Sequence, residues 1–294
     1  MDYDVIALGE TMTALAPSAG ETLRTARLLQ IDHAGAESNT CVGLARLGFR
    51  VAWISRLGAD GAGDRVLDAL AAEGIDTRWV ERDAQRPTGL MIKEPGAGVR
   101  YFRSESAASV MGPGILADAP IAGARAVLVT GVTALIGPQP HAAGLALLDR
   151  ARGLRIVDPN LRSGLWGSAR RGTLVRPFVE RCDLLLAGDH EIAEIVEGTG
   201  AEALARAAAA LGPKEVVVRS AASVGVLAGG GWQTIDIRRG DAVDPIGAGD
   251  AFNAGYIAVR LRGGSIADAV HTAVRCGAAV TASTSDTADF PRLA

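Results

Sequence analysis

Six short runs constrain this chain more than anything else in it: DVIALG from Asp4, VAWISRLG from Val51, AVLVTG from Ala126, RIVDPN from Arg155, DLLLAG from Asp183 and EVVVRS from Glu215. Each is almost continuously apolar and rich in Leu or β-branched residues. A strand with one wet face alternates apolar and polar residues, so runs without that alternation read as strands buried on both sides. Between them lie GDRVLDALAAEG, HAAGLALLDRARG and AEALARAAAALG, amphipathic or small-residue-rich stretches that each close on Gly. Helices closed by Gly and alternating with doubly buried strands imply βαβ units and a mostly parallel sheet covered on both faces. The expected class is α/β, and residues 1–294 read as one domain because no Pro/Gly/Ser-rich linker divides them.

One segment breaks the alternation. GLMIKEPGAGVRYFRS, residues 89–104, has two strand-like runs about a PGAG turn and no helix between them, which predicts a β-hairpin. The two-residue period places Val99, Tyr101 and Arg103 on one face, and Arg100 and Phe102 on the other. A ring beside a guanidinium suits a ligand, and it equally suits an exposed cross-strand ladder.

Composition removes several function classes. A formal charge of −3 provides no global basic surface, so nucleic acid is not expected as a partner. No apolar run approaches the roughly 20 residues that span a bilayer. MDYDVIALGE lacks the basic start and hydrophobic centre of an export signal, so the cytoplasm is the expected location, with no membrane partner. Cys41, Cys182 and Cys276 lie far apart without a C-x-x-C pair and read as buried, reduced thiols. The common P-loop, G-x-G-x-x-G, H-E-x-x-H and G-x-S-x-G patterns are all absent. None of the four histidines has a partner at metal-ligand spacing, although His33 abuts the AGAESN turn.

The tetrapeptide GAGD occurs at 61–64 and again at 247–250. Both copies read as helix starts, since Gly permits the tight turn and Asp in the first turn complements the helix dipole. The first copy leads into a helix carrying Arg65, Asp68 and Glu73, so it reads as a capped surface helix. The second follows Asp244 and Pro245 and enters a helix nearly uncharged for ten residues, which predicts burial. A buried, Gly-rich helix start forms an anion site, and a carboxylate beside those amides suits phosphoryl transfer, where it takes the proton of the attacking hydroxyl. A buried helix cap accounts for the same letters.

VDPIGAGDAFNAGY resembles the C-terminal signature of the PfkB, or ribokinase-like, family of carbohydrate kinases, and AGAESNTCVGLARLG, residues 34–48, resembles its N-terminal signature. The likeness extends over essentially the whole chain. It implies a ribokinase-like three-layer sandwich with a small β-lid formed by roughly 10–33 and 86–106. It further implies Asp250 as the base, Gly247, Ala248 and Gly249 as the anion hole, and nucleotide contacts from Arg219, Ser220, Gly225, Gly247 and Gly249. ATP and Mg²⁺ are the implied cofactors, with a monovalent cation as a further candidate, and the implied assembly is a homo-oligomer joined through the lid.

Glu10, GAESN, YFR and DPNLR at 158–162 look most like the 2-keto-3-deoxygluconate kinases of this family, which phosphorylate a sugar acid. By that likeness the substrate contacts are Gly35, Asn39, Tyr101, Arg103, Arg162 and Asp250, with the two arginines meeting the carboxylate. Fructokinase, ribokinase, nucleoside kinase and a non-catalytic sugar or nucleotide binder are the alternatives. Two departures from the family pattern stand out. Gly188 replaces an Asn three residues before Glu191, leaving Glu191 as an indirect metal contact. The usual K-x-G-x-x-G is here RSAASVG, with Arg219 for Lys, Ala221 for the first Gly and the second Gly displaced to Gly225.

Overall fold

The structure is a computed structural model and describes residues 3–18, 20–94, 98–161, 168–237, 246–281, 287, 290 and 291. All six apolar runs form strands of one parallel array: β1 (Val5–Leu8), β4 (Val51–Gly58), β8 (Ala126–Thr130), β9 (Leu154–Asp158), β10 (Leu184–Gly188) and β11 (Glu215–Arg219). β5 (Val80–Asp83) extends the array beyond β4, while β12 (Ser223–Ala228) and β13 (Gly231–Asp236) run antiparallel at the other edge. The β12–β13 turn is Gly229-Gly230, both with positive φ, as a two-residue turn matched to strand twist requires. The full order is β13-β12-β11-β10-β9-β8-β1-β4-β5.

The strand residues divide cleanly between two cores. Ile6, Leu8, Val127, Val129 and Val157 pack on one side with α3 (Gly131–Leu135), α4 (Pro138–Arg150), α5 (Ser168–Val179) and α7 (Ala201–Ala209). Val5, Ala7, Ala126, Leu128 and Ile156 pack on the other with α1 (Ala36–Arg46), α2 (Gly61–Ala72), α8 (Ala248–Leu261) and α9 (Ile266–Val280). Adjacent residues enter opposite cores, which is why these runs show no polar alternation. The three cysteines are buried and free, as expected.

The predicted hairpin is present as β6 (Leu90–Glu94) and β7 (Gly98–Phe102), with Arg103 following β7. It joins β2 (Met12–Pro17) and β3 (Leu29–Ala34) in a separate sheet of order β3-β2-β6-β7. Val99 and Tyr101 face inward onto Met12, Ala14, Ala34 and Met91, whereas Phe102 is 55% exposed.

Chain order around the main sheet fixes the site. β1 is flanked by β4 on one side and β8 on the other, so strand order reverses between β1 and β8. Ligands of open α/β sheets bind beyond the strand C-termini at such a reversal. At the opposite edge, helices end, and arginines clasp carbonyls there: Arg262 donates to Leu47 O at 2.6 Å at the end of α1, Arg181 to Pro177 O at 3.0 Å in the last turn of α5, and Arg260 to Gly264 O at 2.7 Å in the loop between α8 and α9. Among the described residues, no helix is long and apolar enough to cross a membrane.

α8 is buried from Asp250 to Ala258 and packs against α1 and α9 through small residues. A Cβ at Gly255 would stand 2.9 Å from Cα of Ala273 and 3.1 Å from its N, so the missing side chain sets the α8–α9 spacing. Gly255→Ala gains about 1 kcal/mol of helix propensity but overpacks a backbone contact that costs about 1–3 kcal/mol. Net destabilisation is expected in urea unfolding; a more stable variant would show that the helices separate freely.

Candidate active site

Beyond the end of β1 the chain makes an unusually close approach to α1. A Cβ at Gly9 would fall 2.2 Å from the Glu37 carboxyl, and a Cβ at Gly35 would fall 2.4 Å from Glu10 O. Glu37, fully buried, accepts at Oε1 from Thr130 N at 3.0 Å, Thr130 Oγ1 at 2.8 Å and Thr133 Oγ1 at 2.8 Å. One carboxyl thus binds the start of α1 to the end of β8 and to α3. Burial pushes the Glu37 carboxyl above the ordinary range despite the threonine donors.

α8 supplies the centre. Gly247, its N-cap, has φ +83, a left-handed conformation suited to glycine. The first-turn amides have no carbonyl behind them in the helix, so they remain available to an anion. Asp250, 3% exposed, receives Asn39 Nδ2 at 2.9 Å on Oδ2 and Asn160 Nδ2 at 3.4 Å on Oδ1. Two amides therefore hold one carboxylate at the mouth of the helix.

Behind this turn stands Arg219, at the end of β11. It donates to Asn253 Oδ1 at 2.9 Å and Gly249 O at 3.3 Å, and lies 3.4 Å from Glu191 and 3.5 Å from Asp158. Asn253 Nδ2 closes the ring on Asp158 Oδ2 at 2.6 Å. Burial pulls the guanidinium down, but the Asp158, Glu191 and Asp250 carboxylates outweigh it and hold Arg219 above its ordinary value. Glu191 also accepts Leu161 N at 2.9 Å and Gly188 N at 2.6 Å. Gly188 makes that fold-back feasible, since a Cβ there would stand 3.0 Å from Glu191 Oε2.

The four-stranded sheet roofs the site. Arg103 donates through Nε to Glu10 Oε2 at 2.6 Å and through Nη2 to the same oxygen, while Ser106 Oγ donates to Glu10 Oε1 at 2.7 Å. The guanidinium carbon is 5.3 Å from the centre of the Tyr101 ring. Gly35, Asn39, Tyr101, Arg103 and Asp250 line one cavity of about 80 Å³, together with Glu10 and Asn160.

The sequence-predicted residues thus fall into groups. The five cavity residues just named come together, whereas Arg162 lies outside the described residues, as do Asp244 and Pro245. Arg219, expected at the nucleotide, instead directs its fork inward onto α8, Asp158 and Glu191. Ser220 lies in the turn after β11, its N donating to Ser223 O at 2.9 Å. Gly225 lies inside β12, where a Cβ would stand 2.0 Å from the Trp232 ring, so packing accounts for that glycine. Asp64 caps nothing. Asp60 caps α2, accepting from Gly63 N at 2.7 Å, and Asp64 forms an exposed pair with Arg82 at 2.7 Å. Sequence reasoning assigned no role to Glu37, Asp158, Asn160 or Asn253; Glu37 and Asn253 lie within the two signature motifs, and Asp158 and Asn160 within DPNLR. His33 sits on β3 with Nδ1 3.3 Å from Asp32 and is not part of the cavity lining.

A larger groove of about 800 Å³ lies at the N-terminal ends of β9, β10 and β11. Its Arg155 and Arg260 are neutralised by Asp183 and Glu215, each at 2.8 Å, and it lies at the wrong end of the sheet for the ligand crevice. The smaller cavity is therefore the candidate site.

Comparison with known proteins concerns the chain as a whole. The pfkB family carbohydrate kinase model matches residues 2–293. The chain belongs to the pfkB family. As a member it is an ATP-dependent carbohydrate kinase, and the non-catalytic alternative is set aside. The chain is similar to 2-dehydro-3-deoxygalactonokinase of Haloferax volcanii, at 32% identity over 96% of this chain and 91% of that protein. It is also similar to 2-dehydro-3-deoxygluconokinase of Bacillus subtilis, at 30% over 95% and 89%. Among solved structures, a PfkB protein from Polaromonas sp. JS666 superposes with TM-score 0.87 at 34% identity, covering 95% of this chain and 96% of that one. A putative ribokinase II from E. coli in complex with ATP and Mg²⁺ shares the fold, with TM-score 0.90 at 21% identity over 98% and 96%.

Glu37 provides a test of how this kinase holds its site together. Because its folded pKa is raised, the stability it contributes is complete below the unfolded value of about 4.3 and falls as pH rises toward the folded value. Glu37→Gln mimics the protonated acid and removes that decline. The variant's stability relative to wild type should therefore grow between pH 5 and pH 8 in urea unfolding; a constant difference would show that Glu37 is ionised in the fold.

Proposed function

We propose that the protein transfers the γ-phosphoryl group of ATP to the primary hydroxyl of a sugar acid, converting 2-keto-3-deoxygluconate to its 6-phosphate. The observation that carries this reading is Asp250: a buried carboxylate, held by two amides, at a helix start and open to the same cavity as Tyr101 and Arg103. Asp250 takes the proton of the attacking hydroxyl, and the Gly247, Ala248 and Gly249 amides stabilise charge on the migrating group. Gly35 and Asn39 position the sugar. ATP lies over α8 beside Ser220 and Arg219, in the reaction's cytoplasmic setting.

The residues fit a divalent cation in charge, since Asp158, Glu191 and Asp250 outnumber Arg219 by two. Among the described residues, no group of three or more His, Cys, Asp or Glu forms a ligand cage. Glu191 would act on Mg²⁺ indirectly, leaving most of its coordination to groups other than these side chains. The metal supplies neutralisation of phosphate charge. Among the described residues, none is assigned to a monovalent cation.

A second reading has its own observation. Glu10 neutralises Arg103, so the roof of the cavity offers no uncompensated positive charge and suits a neutral sugar such as fructose, and carboxylate recognition then rests on Arg162 and on the Arg103 Nη1 edge. Measuring ADP release with ATP, Mg²⁺ and a panel of acidic and neutral sugars separates the two. A panel won by a neutral sugar overturns the acid assignment.

The four-stranded sheet is proposed as a lid and as the surface that joins copies of the chain, because Leu28, Ile31 and Phe102 are exposed large apolar residues on or beside it. Phe102→Asp should sediment as a smaller species than wild type; equal masses would remove the lid from the interface.

The two GAGD copies allow one substitution to be compared in two settings. Asp250→Asn should retain the fold and sugar binding while turnover falls by roughly 10² to 10⁴. Asp64→Asn removes only an exposed ion pair and should change turnover by less than about twofold. Loss of activity in the Asp64 variant alone would overturn the assignment of the base.

A further inference from the structure

Asn160 is only half used by the contacts described above. It follows Pro159 beyond β9 with φ +40, in the left-handed region where Asn is among the few side chains commonly found. The residue is 5% exposed, lines the cavity and donates through Nδ2 to Asp250 Oδ1. An ionised carboxylate can only accept, so the NH₂ end must face Asp250 and the carbonyl end must face away from it. That oxygen, Oδ1, is buried without a hydrogen-bond partner among the described residues. The other amide on Asp250 differs, because Asn39 Oδ1 accepts from Gly35 N at 3.5 Å. A buried acceptor left unmatched is costly, and native proteins seldom leave one without a ligand or water to satisfy it.

We infer that Asn160 is a specificity-determining residue: its Oδ1 accepts a hydrogen bond from the sugar hydroxyl on the carbon next to the one that is phosphorylated. The inference rests on the reading of Asp250 as the base. Its location follows from the amide itself. Nδ2 and Oδ1 share one carbon, so a donor that satisfies Oδ1 stands close to the hydroxyl facing Asp250, and on a polyol chain the neighbouring hydroxyl has that spacing. The same side chain then performs two tasks, orienting the base with one end and reading the substrate with the other. A sugar without a donor at that carbon leaves Oδ1 buried and unmatched in the complex.

The test uses the purified protein with its best sugar from the panel, and with the analogue deoxygenated beside the acceptor carbon, which is the 5-deoxy compound if that sugar is 2-keto-3-deoxygluconate. Wild type should prefer the parent by about tenfold or more in kcat/KM, as expected when a built acceptor loses its donor. Asn160→Gly removes the side chain without strain at positive φ, and its preference should shrink to about threefold or less. Asn160→Asp keeps an acceptor oxygen, so it should keep the preference. The acidic limb of its kcat profile should move upward, because Asp250 loses a donor and gains a like charge. Calorimetric affinities for the same two sugars give the comparison without turnover, and melting temperatures identify any variant that fails to fold. Equal use of parent and deoxy sugar by wild type, or an undiminished preference in Asn160→Gly, overturns the inference. Failure of the base assignment is distinguishable, because Asp250→Asn would then keep its turnover of the parent sugar.

Discussion

Arg219 is the side chain on which the site's arrangement depends. Its guanidinium touches groups on β9, α6 (Asp189–Ile192) and α8 from the end of β11, so the register of four elements converges on one cation. Asp158, Glu191 and Asp250 share one buried neighbourhood, and Arg219 is the guanidinium placed among them. Arginine suits this position better than lysine, because a planar fork can serve a carbonyl, an amide oxygen and two carboxylates at once. The substitution that weakens the family's usual nucleotide motif is the one that organises the centre of this molecule.

The main sheet was legible because its strands are buried on both faces, and burial of that kind leaves an unmistakable mark in the letters. LQIDHA, VERD and GWQTID, the sequences of β3, β5 and β13, mix polar and apolar residues because they lie at sheet edges, and nothing in them separates strand from loop. The two GAGD copies could be told apart for the same reason: the charge of the following helix reports its burial, and burial separates a surface helix start from an interior one. What the letters did not carry was partnership. Nothing in the letters announces the carboxylates gathered around Arg219 or the Trp232 ring over Gly225.

Recognition at the roof follows another logic. Glu10 and Arg103 are both nearly inaccessible, and each makes the other tolerable. On the proposed reading, a substrate carboxylate entering here would meet a guanidinium whose charge is already matched, so it would gain a directional donor edge more than a bare charge.

The arginine clasps at the helix ends have a consequence of a different kind. Of the basic residues in the chain only Lys93 and Lys214 are lysines. The clasps on Leu47, Gly264 and Pro177 are all made by planar guanidinium groups, where an ammonium would offer only a point charge. Acylation, which silences amines and leaves guanidinium untouched, has two side-chain addresses on this surface, and Lys214, 84% exposed, is the more accessible of them to solvent chemistry. That address lies at the edge of the sheet where β11 begins, while the arginine clasps lie outside the reach of amine chemistry.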